Sequence, residues 1–281
     1  MDDDKYALVE KIVKDIHNVL SKTAELYAFD IVPVDSNFRN KSPVLCVENC
    51  LGLESWCVKH VYMYCYSEIR DKFGMNSQRK HKKITTLDSE RLVKLLNATL
   101  LINPDVTTLW NKRREIVQIL LLDKVSELQF SQLVLSRKPK CNDAFAYRRW
   151  LLGALLLSDN VQPNSLENLI NSELRICDET SDKSPNNYHS WSHRLWVVNN
   201  MKNVLKQFDM NSLYIKDLND MRQKQAKISR YDSNCIYNSV LFQVILNHEN
   251  KFIEERQTDG DNYAGRHEKY LKFVEGLNNV M

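Results

Sequence analysis

Glycine and proline are scarce, six of each in 281 residues. That excludes a turn-rich β architecture and points to long helices with brief connections, an all-α chain. No apolar run reaches about 18 residues, so no membrane-spanning helix is expected. Charge of one sign is also lacking: 39 basic and 36 acidic residues leave a net charge of +3, too balanced to point to a nucleic-acid or membrane-surface partner. The opening MDDDKYALVEKIVKDI has neither a basic leader nor a continuous apolar stretch, and the expected location is cytoplasmic. No CxxC pair occurs among Cys46, Cys50, Cys57, Cys65, Cys141, Cys177 and Cys235. An odd set of scattered cysteines without zinc-ligand spacing reads as reduced, mostly buried thiols, and no metal or cofactor is expected in this chain.

What is present is helical periodicity. Val9, Ile12, Val13, Ile16, Val19 and Leu20 follow the 3.6-residue rhythm of one helical face and predict a first helix from about Tyr6 to Tyr27. Phe29 to Pro43 holds two prolines and several turn formers and reads as a connection, followed by a second helical stretch to about Phe73. The polar segment Gly74–Lys83 reads as an exposed loop. Its basic run, Arg79 to Lys83, lacks interleaved aromatics and is read as solvated. Helical periodicity then continues to an apolar stripe of Tyr270, Leu271, Phe273, Val274 and Leu277. Residues 1–86 are therefore an N-terminal helical region and 87–281 a repeat array.

The repeat carries most of the information. NPDVTTLWNKRR from Asn103, KPKCNDAFAYRR from Lys138 and SPNNYHSWSHRL from Ser184 align without gaps. In each, a proline (Pro104, Pro139, Pro185) is followed six residues later by an aromatic (Trp110, Phe145, Trp191) and three further on by an arginine (Arg113, Arg148, Arg194). A degenerate fourth copy at 231–242 puts Tyr237 in the aromatic position. Such a period suits helical hairpins that bury their apolar faces by stacking. The proline is expected in the first helical turn. The ring would fill the seam between hairpins, and the arginine would lie against a ring or bond the carbonyl end of a neighbouring helix. For most of these residues, repeat packing is the whole expectation.

Proline, a short polar-aromatic stretch and Trp-x-x-Arg, three times in phase, resemble the repeat of protein prenyltransferase α subunits. SPVLCVENCLGLESWCVKH from Ser42, with LLINPDVTTLWNKRRE after it, more closely resembles that family's divergent repeat-containing branch. The resemblance implies a right-handed superhelix of stacked antiparallel helical hairpins, an α-α solenoid. It also implies a heterodimer with a β subunit, of the Rab-type geranylgeranyltransferase kind, that holds the zinc and most of the isoprenoid diphosphate site. Its reaction would be geranylgeranyl transfer to C-terminal cysteines of target proteins, a farnesylated SNARE among them, and the isolated chain would be inactive. In the family pattern PKNYxxW the lysine reaches the diphosphate, and the matching residue is Lys140. Cys141, Asn142 and Phe145 depart from the pattern. In the family pattern NYHxWxHR, Asn187, Tyr188, His189, Trp191, His193 and Arg194 are in register, and the resemblance implies that Tyr188 and His189 contact the diphosphate.

The chemistry stands beside the resemblance. An allylic diphosphate gathers negative charge as its carbon–oxygen bond lengthens, and a lysine, a phenol and an imidazole are suited to stabilise it. For Lys140, Tyr188 and His189 a site role and a plain solvent or interface role both stay open. His189 and His193 lie at i and i+4, but no HExxH glutamate accompanies them, and a packed His193 is the expectation. The alternative for the whole chain is a non-catalytic helical scaffold for protein–protein interaction.

Overall fold

The structure, a computed structural model, describes residues 2–23, 25–35, 40, 42–73, 86–156 and 163–205, and beyond these 249–250, 253–254, 257, 264–265 and 267–268. The basic run, the Tyr237 copy and the final apolar stripe lie outside the described residues. Two compact units meet in sequence at Gly153.

In the first unit, α1 (Asp2–Lys22) buries Val9, Ile12, Val13 and Ile16, as its periodicity requires. A three-stranded sheet follows: β1 (Ala28–Val32), β2 (Val44–Val47) and β3 (Cys50–Glu54) in the order β1-β3-β2. Part of the segment read as a connection and the start of the expected second helical stretch are thus strands within a mostly helical chain. Strands β2 and β3 are antiparallel across a tight turn in which Glu48 and Asn49 both have positive φ, 48° and 60°, as a two-residue hairpin demands. Strand β1 joins β3 in parallel, pairing Ala28 with Cys50 through Val32 with Glu54. Gly52 sits at the centre of β3, where a Cβ would come within 3.1 Å of Val32 Cγ2; the close approach of both neighbours explains the glycine.

Helix α2 (Ser55–Lys72) buries Cys57, Val61, Cys65 and Ile69, four residues apart along one face. Helix α3 (Thr86–Ile102) is central, with Leu92, Leu95, Leu96, Ala98, Leu100 and Leu101 all buried. Helices α4 (Thr107–Leu120), α5 (Lys124–Arg137) and α6 (Asn142–Leu156) complete the row. The α4–α5 turn places Leu121 in the left-handed region at φ 50°. Asp123 then caps α5 by accepting from the Val125 and Ser126 amides. Partial burial works to raise the Asp123 carboxyl, and the hydrogen bonds from Ser126 and Val125 overcome it and hold it below its ordinary range.

The sheet is braced on α5. The Phe29 amide donates to Ser136 Oγ at 2.9 Å, and Arg137 donates to the Leu101 and Ile102 carbonyls that end α3. Its guanidinium also lies 5.9 Å from the Phe29 ring centre.

The second unit contains α7 (Pro163–Lys183) and α8 (Tyr188–Leu205), joined by 184–187. Pro163 opens α7, where its missing N–H is not needed. Leu174, Ile176 and Cys177 of α7 and Trp191, Val197 and Val198 of α8 are buried. Among the described residues after 205, Glu249, Ile253, Ala264 and His267 are buried and helical.

Candidate functional site

All three clear motif copies fall at the start of a helix: α4, α6 and α8. The prolines are not in the first helical turn, as the sequence reading had them. Pro104, Pro139 and Pro185 each precede the first helical residue, Thr107, Asn142 or Tyr188, by three positions and shape the entering turn. The ring is thereby the fourth helical residue, and in the first copy the reason for the spacing is visible. Trp110 Nε1 donates back to the Pro104 carbonyl at 2.8 Å, closing the loop over the helix start. Trp110, Phe145 and Trp191 are all buried.

The three arginines are buried too, and each is committed to structure. Arg113 donates to both carboxylate oxygens of Glu127 on α5, at 2.6 and 2.9 Å, and to Asn97 Oδ1 on α3 at 2.8 Å. Its guanidinium lies 3.7 Å from the Phe130 ring centre. Burial works against the charge, and Glu127 and Tyr147 beside it leave the Arg113 proton held more tightly than usual. Arg148 donates to the Leu128 carbonyl and Ser131 Oγ, both on α5. Arg194 donates to both oxygens of Glu249 and to Asp178. The acids were missed by the sequence reading. Glu127 follows Arg113 by 14 residues, a spacing within one hairpin that could have flagged it.

His193 is a core residue. Its Nε2 lies 2.9 Å from Glu173 Oε2, both side chains fully buried, and its ring stacks on Trp196. Among the described residues no three His, Cys, Asp or Glu side chains are grouped as metal ligands.

The three residues implied to meet a diphosphate sit differently. In the first unit Lys140 is exposed in the turn 138–141, just before α6, and makes no ion pair with a described residue. Its neighbour Lys138 reaches Asp105 at 3.6 Å. Cys141 is buried beneath that turn, where its Sγ accepts from the Ala144 amide and lies 3.6 Å from the Pro104 carbonyl. Burial pushes its thiol up to about 12, which disfavours the thiolate.

In the second unit Tyr188, 55% exposed, is the first residue of α8 and His189 the second, their rings edge to face at 5.5 Å. The turn that displays them is pinned from inside. The Asn187 side chain accepts from the Ser190 amide and donates to the Thr180 carbonyl, and Ser190 Oγ donates to the Cys177 carbonyl while accepting from Thr180 and Ser181. A helix start carries partial positive charge and unpaired amides. The phenol and imidazole in the second unit, and the ammonium in the first, are therefore presented where an anion is favoured.

The sequence profile described as "Protein prenyltransferase alpha subunit repeat" matches residues 125–155 and 170–201, the α5–α6 and α7–α8 pairs. The chain is 36% identical over 207 residues to the zebrafish (Danio rerio) protein prenyltransferase alpha subunit repeat-containing protein 1, covering 69% of this chain and 47% of that relative. The chain thus carries the protein prenyltransferase alpha subunit repeat and is similar to the repeat-containing proteins of that description. The human (Homo sapiens) protein of the same description is 31% identical over 206 residues, 69% of this chain and 49% of its own length. A more distant likeness, 30% over 157 residues, covering 52% of this chain and 40% of the relative, is to the geranylgeranyl transferase type-2 subunit alpha of Candida albicans. The chain spans about half the length of the repeat-containing relatives it matches. No helix among the described residues is long and apolar enough to cross a membrane.

Proposed function

We propose that this chain acts as the α subunit of a heterodimeric protein prenyltransferase, transferring a geranylgeranyl group to cysteines of target proteins in the cytoplasm. Its partner is a β subunit of the Rab-type geranylgeranyltransferase kind, which carries the zinc and most of the isoprenoid diphosphate site, and a SNARE is among the proteins modified. The reading rests on one contrast. In the motif helices the rings and arginines are buried and committed to structure, whereas Lys140 is exposed in the turn before α6, Tyr188 is exposed at the start of α8 and His189 is half-buried beside it. The likeness to type-2 α subunits supports the choice of lipid and partner.

The work of this chain is electrostatic. The Lys140 ammonium, the Tyr188 hydroxyl and the His189 imidazole donate to diphosphate oxygens as the allylic carbon–oxygen bond breaks and the leaving group takes up charge. The substrate thiol and its activation belong to the β subunit. A second reading, a non-catalytic scaffold, is favoured by the second copy, where Asn142 occupies the helix position that Tyr188 has in the third. Single-turnover kinetics on a size-selected heterodimer separates the two. Tyr188→Phe and His189→Ala should lower turnover roughly ten- to a thousandfold with assembly intact. Normal turnover with a raised dissociation constant makes these residues interface and the chain a scaffold.

A further inference from the structure

The buried acids form a pattern that neither the motif nor the repeat profile describes. In the first unit, Glu127 Oε2 accepts from Arg113 Nε at 2.6 Å and Oε1 from Arg113 Nη2 at 2.9 Å. The same Oε2 accepts from the Tyr147 hydroxyl at 2.5 Å, and the Tyr147 ring lies 4.9 Å from that of Trp110, at an interplanar angle of 44°. One helix thus supplies ring and guanidinium, the next the carboxylate, and the one after it a second donor that also covers the ring.

The second unit repeats this atom for atom. Glu249 Oε2 accepts from Arg194 Nε and Oε1 from Arg194 Nη2, both at 2.5 Å. His267 Nε2 lies 2.9 Å from the same Oε2, and its ring is 5.1 Å from that of Trp191, at 51°. Arginine, glutamate and histidine are all buried. The donors follow their glutamates at nearly constant intervals: 20 residues for Tyr147 and Glu127, 20 for His193 and Glu173, 18 for His267 and Glu249. Only the step from arginine to acid differs, 14 residues in one unit and 55 in the other.

We infer that Glu249 and His267 belong to the next unit of the array and clamp it onto α8. Tyr147 and His193 each stand two places after the motif ring, which puts Gly265 in the ring position of the new unit and Glu268 in the arginine position. The residue before the ring position agrees, since Ala144, Ser190 and Ala264 are all buried. This unit receives the clamp from α8 but carries neither ring nor arginine to offer another, which is why the Trp-x-x-Arg pattern does not find it. Its docking fixes Trp191, one turn beyond Tyr188, and so steadies the helix start that displays Tyr188 and His189.

The test is a double-mutant cycle on the full chain. His267→Phe, which keeps a ring and removes the bond, and Glu249→Gln should each lower Tm by roughly 3–10 °C. The double variant should lose much less than the sum, as for Tyr147→Phe with Glu127→Gln. Additive losses at His267 and Glu249 overturn the assignment. Should the buried-pair variants fail to fold, hydrogen exchange on the unaltered chain decides. Amides at 264, 265, 267 and 268 should open together with those of α8, and exchange far faster than α8 refutes the clamp. None of these readouts needs a partner or an activity.

Discussion

Replacing Trp110 separates two contributions of the motif ring. The indole is buried, touches the Phe130 and Tyr147 rings at 6.5 and 4.9 Å between centres, and donates to the buried Pro104 carbonyl. Trp110→Ala removes everything at once and leaves a cavity between helices that cannot collapse freely. The expected cost is ~3–5 kcal/mol. For a unit of this size that is roughly 6–20 °C in Tm. Trp110→Phe keeps an aromatic in the seam but strips the carbonyl of its N–H donor. The remaining neighbour of that carbonyl is the weak Cys141 thiol at 3.6 Å, so the loss is about 1–3 kcal/mol. Urea titrations with fluorescence and circular dichroism, fitted with a common m-value, give both numbers. The argument fails if Trp110→Ala melts with the parent, since the ring then fills no seam. It fails equally if Trp110→Phe is as damaging as Trp110→Ala, since ring volume then counts for nothing.

Three further outcomes are expected. His17 accepts at Nδ1 from the Asn97 amide, whose oxygen is committed to Arg113, and burial followed by Lys94 and Arg113 holds its pKa below the ordinary histidine value. The folded state resists protonation there, so stability falls as pH drops below about 6.5, and urea midpoints at about pH 7.5 and 5.5 should differ more for the parent than for His17→Asn; equal differences remove His17 from the account. Thiol labelling of native protein, mapped by peptide, should mark Cys46 and Cys50, which are exposed, and spare Cys57, Cys65, Cys141 and Cys177 until unfolding. Burial pushes Cys57 up to about 11 as well as removing it from solvent, and rapid native labelling at Cys57 would contradict that. The purified single chain should carry little zinc by elemental analysis, and a stoichiometric, tightly held ion would break the division of labour proposed for the two subunits.

Legibility followed the range of the interaction. The face of α1 and the phase of Trp110, Phe145 and Trp191 are written in local periodicity, and both were readable without coordinates. Strands β1 and β3 were not. Each is five residues long and gains its identity from pairing with a segment some twenty positions away, while Pro33 and Pro43, taken as marks of a connection, stand just outside strand ends. The prolines of the repeat misled in a related way: a helix start tolerates proline, but here each stands three positions before the helix, and in the first copy its carbonyl meets the indole. Glu127, Glu173 and Glu249 escaped because an acid inside a helix is ordinarily a solvent-facing residue, and only the partner arginine or imidazole makes its burial affordable. For Lys140, Tyr188 and His189, sequence supplied the residue types, and the structure adds that Lys140 lies in the turn before α6 while Tyr188 and His189 open α8.

The repeated carboxylate has a bearing on how the chain avoids mistakes while folding. Hairpins of similar shape and similar apolar faces could stack in the wrong succession with little loss of hydrophobic contact. A guanidinium sealed into the wrong seam, without its acid, would cost about 3–5 kcal/mol. Each pairing of Arg113 with Glu127 and of Arg194 with Glu249 therefore works as an address label, rejecting the neighbour that arrives without the matching charge.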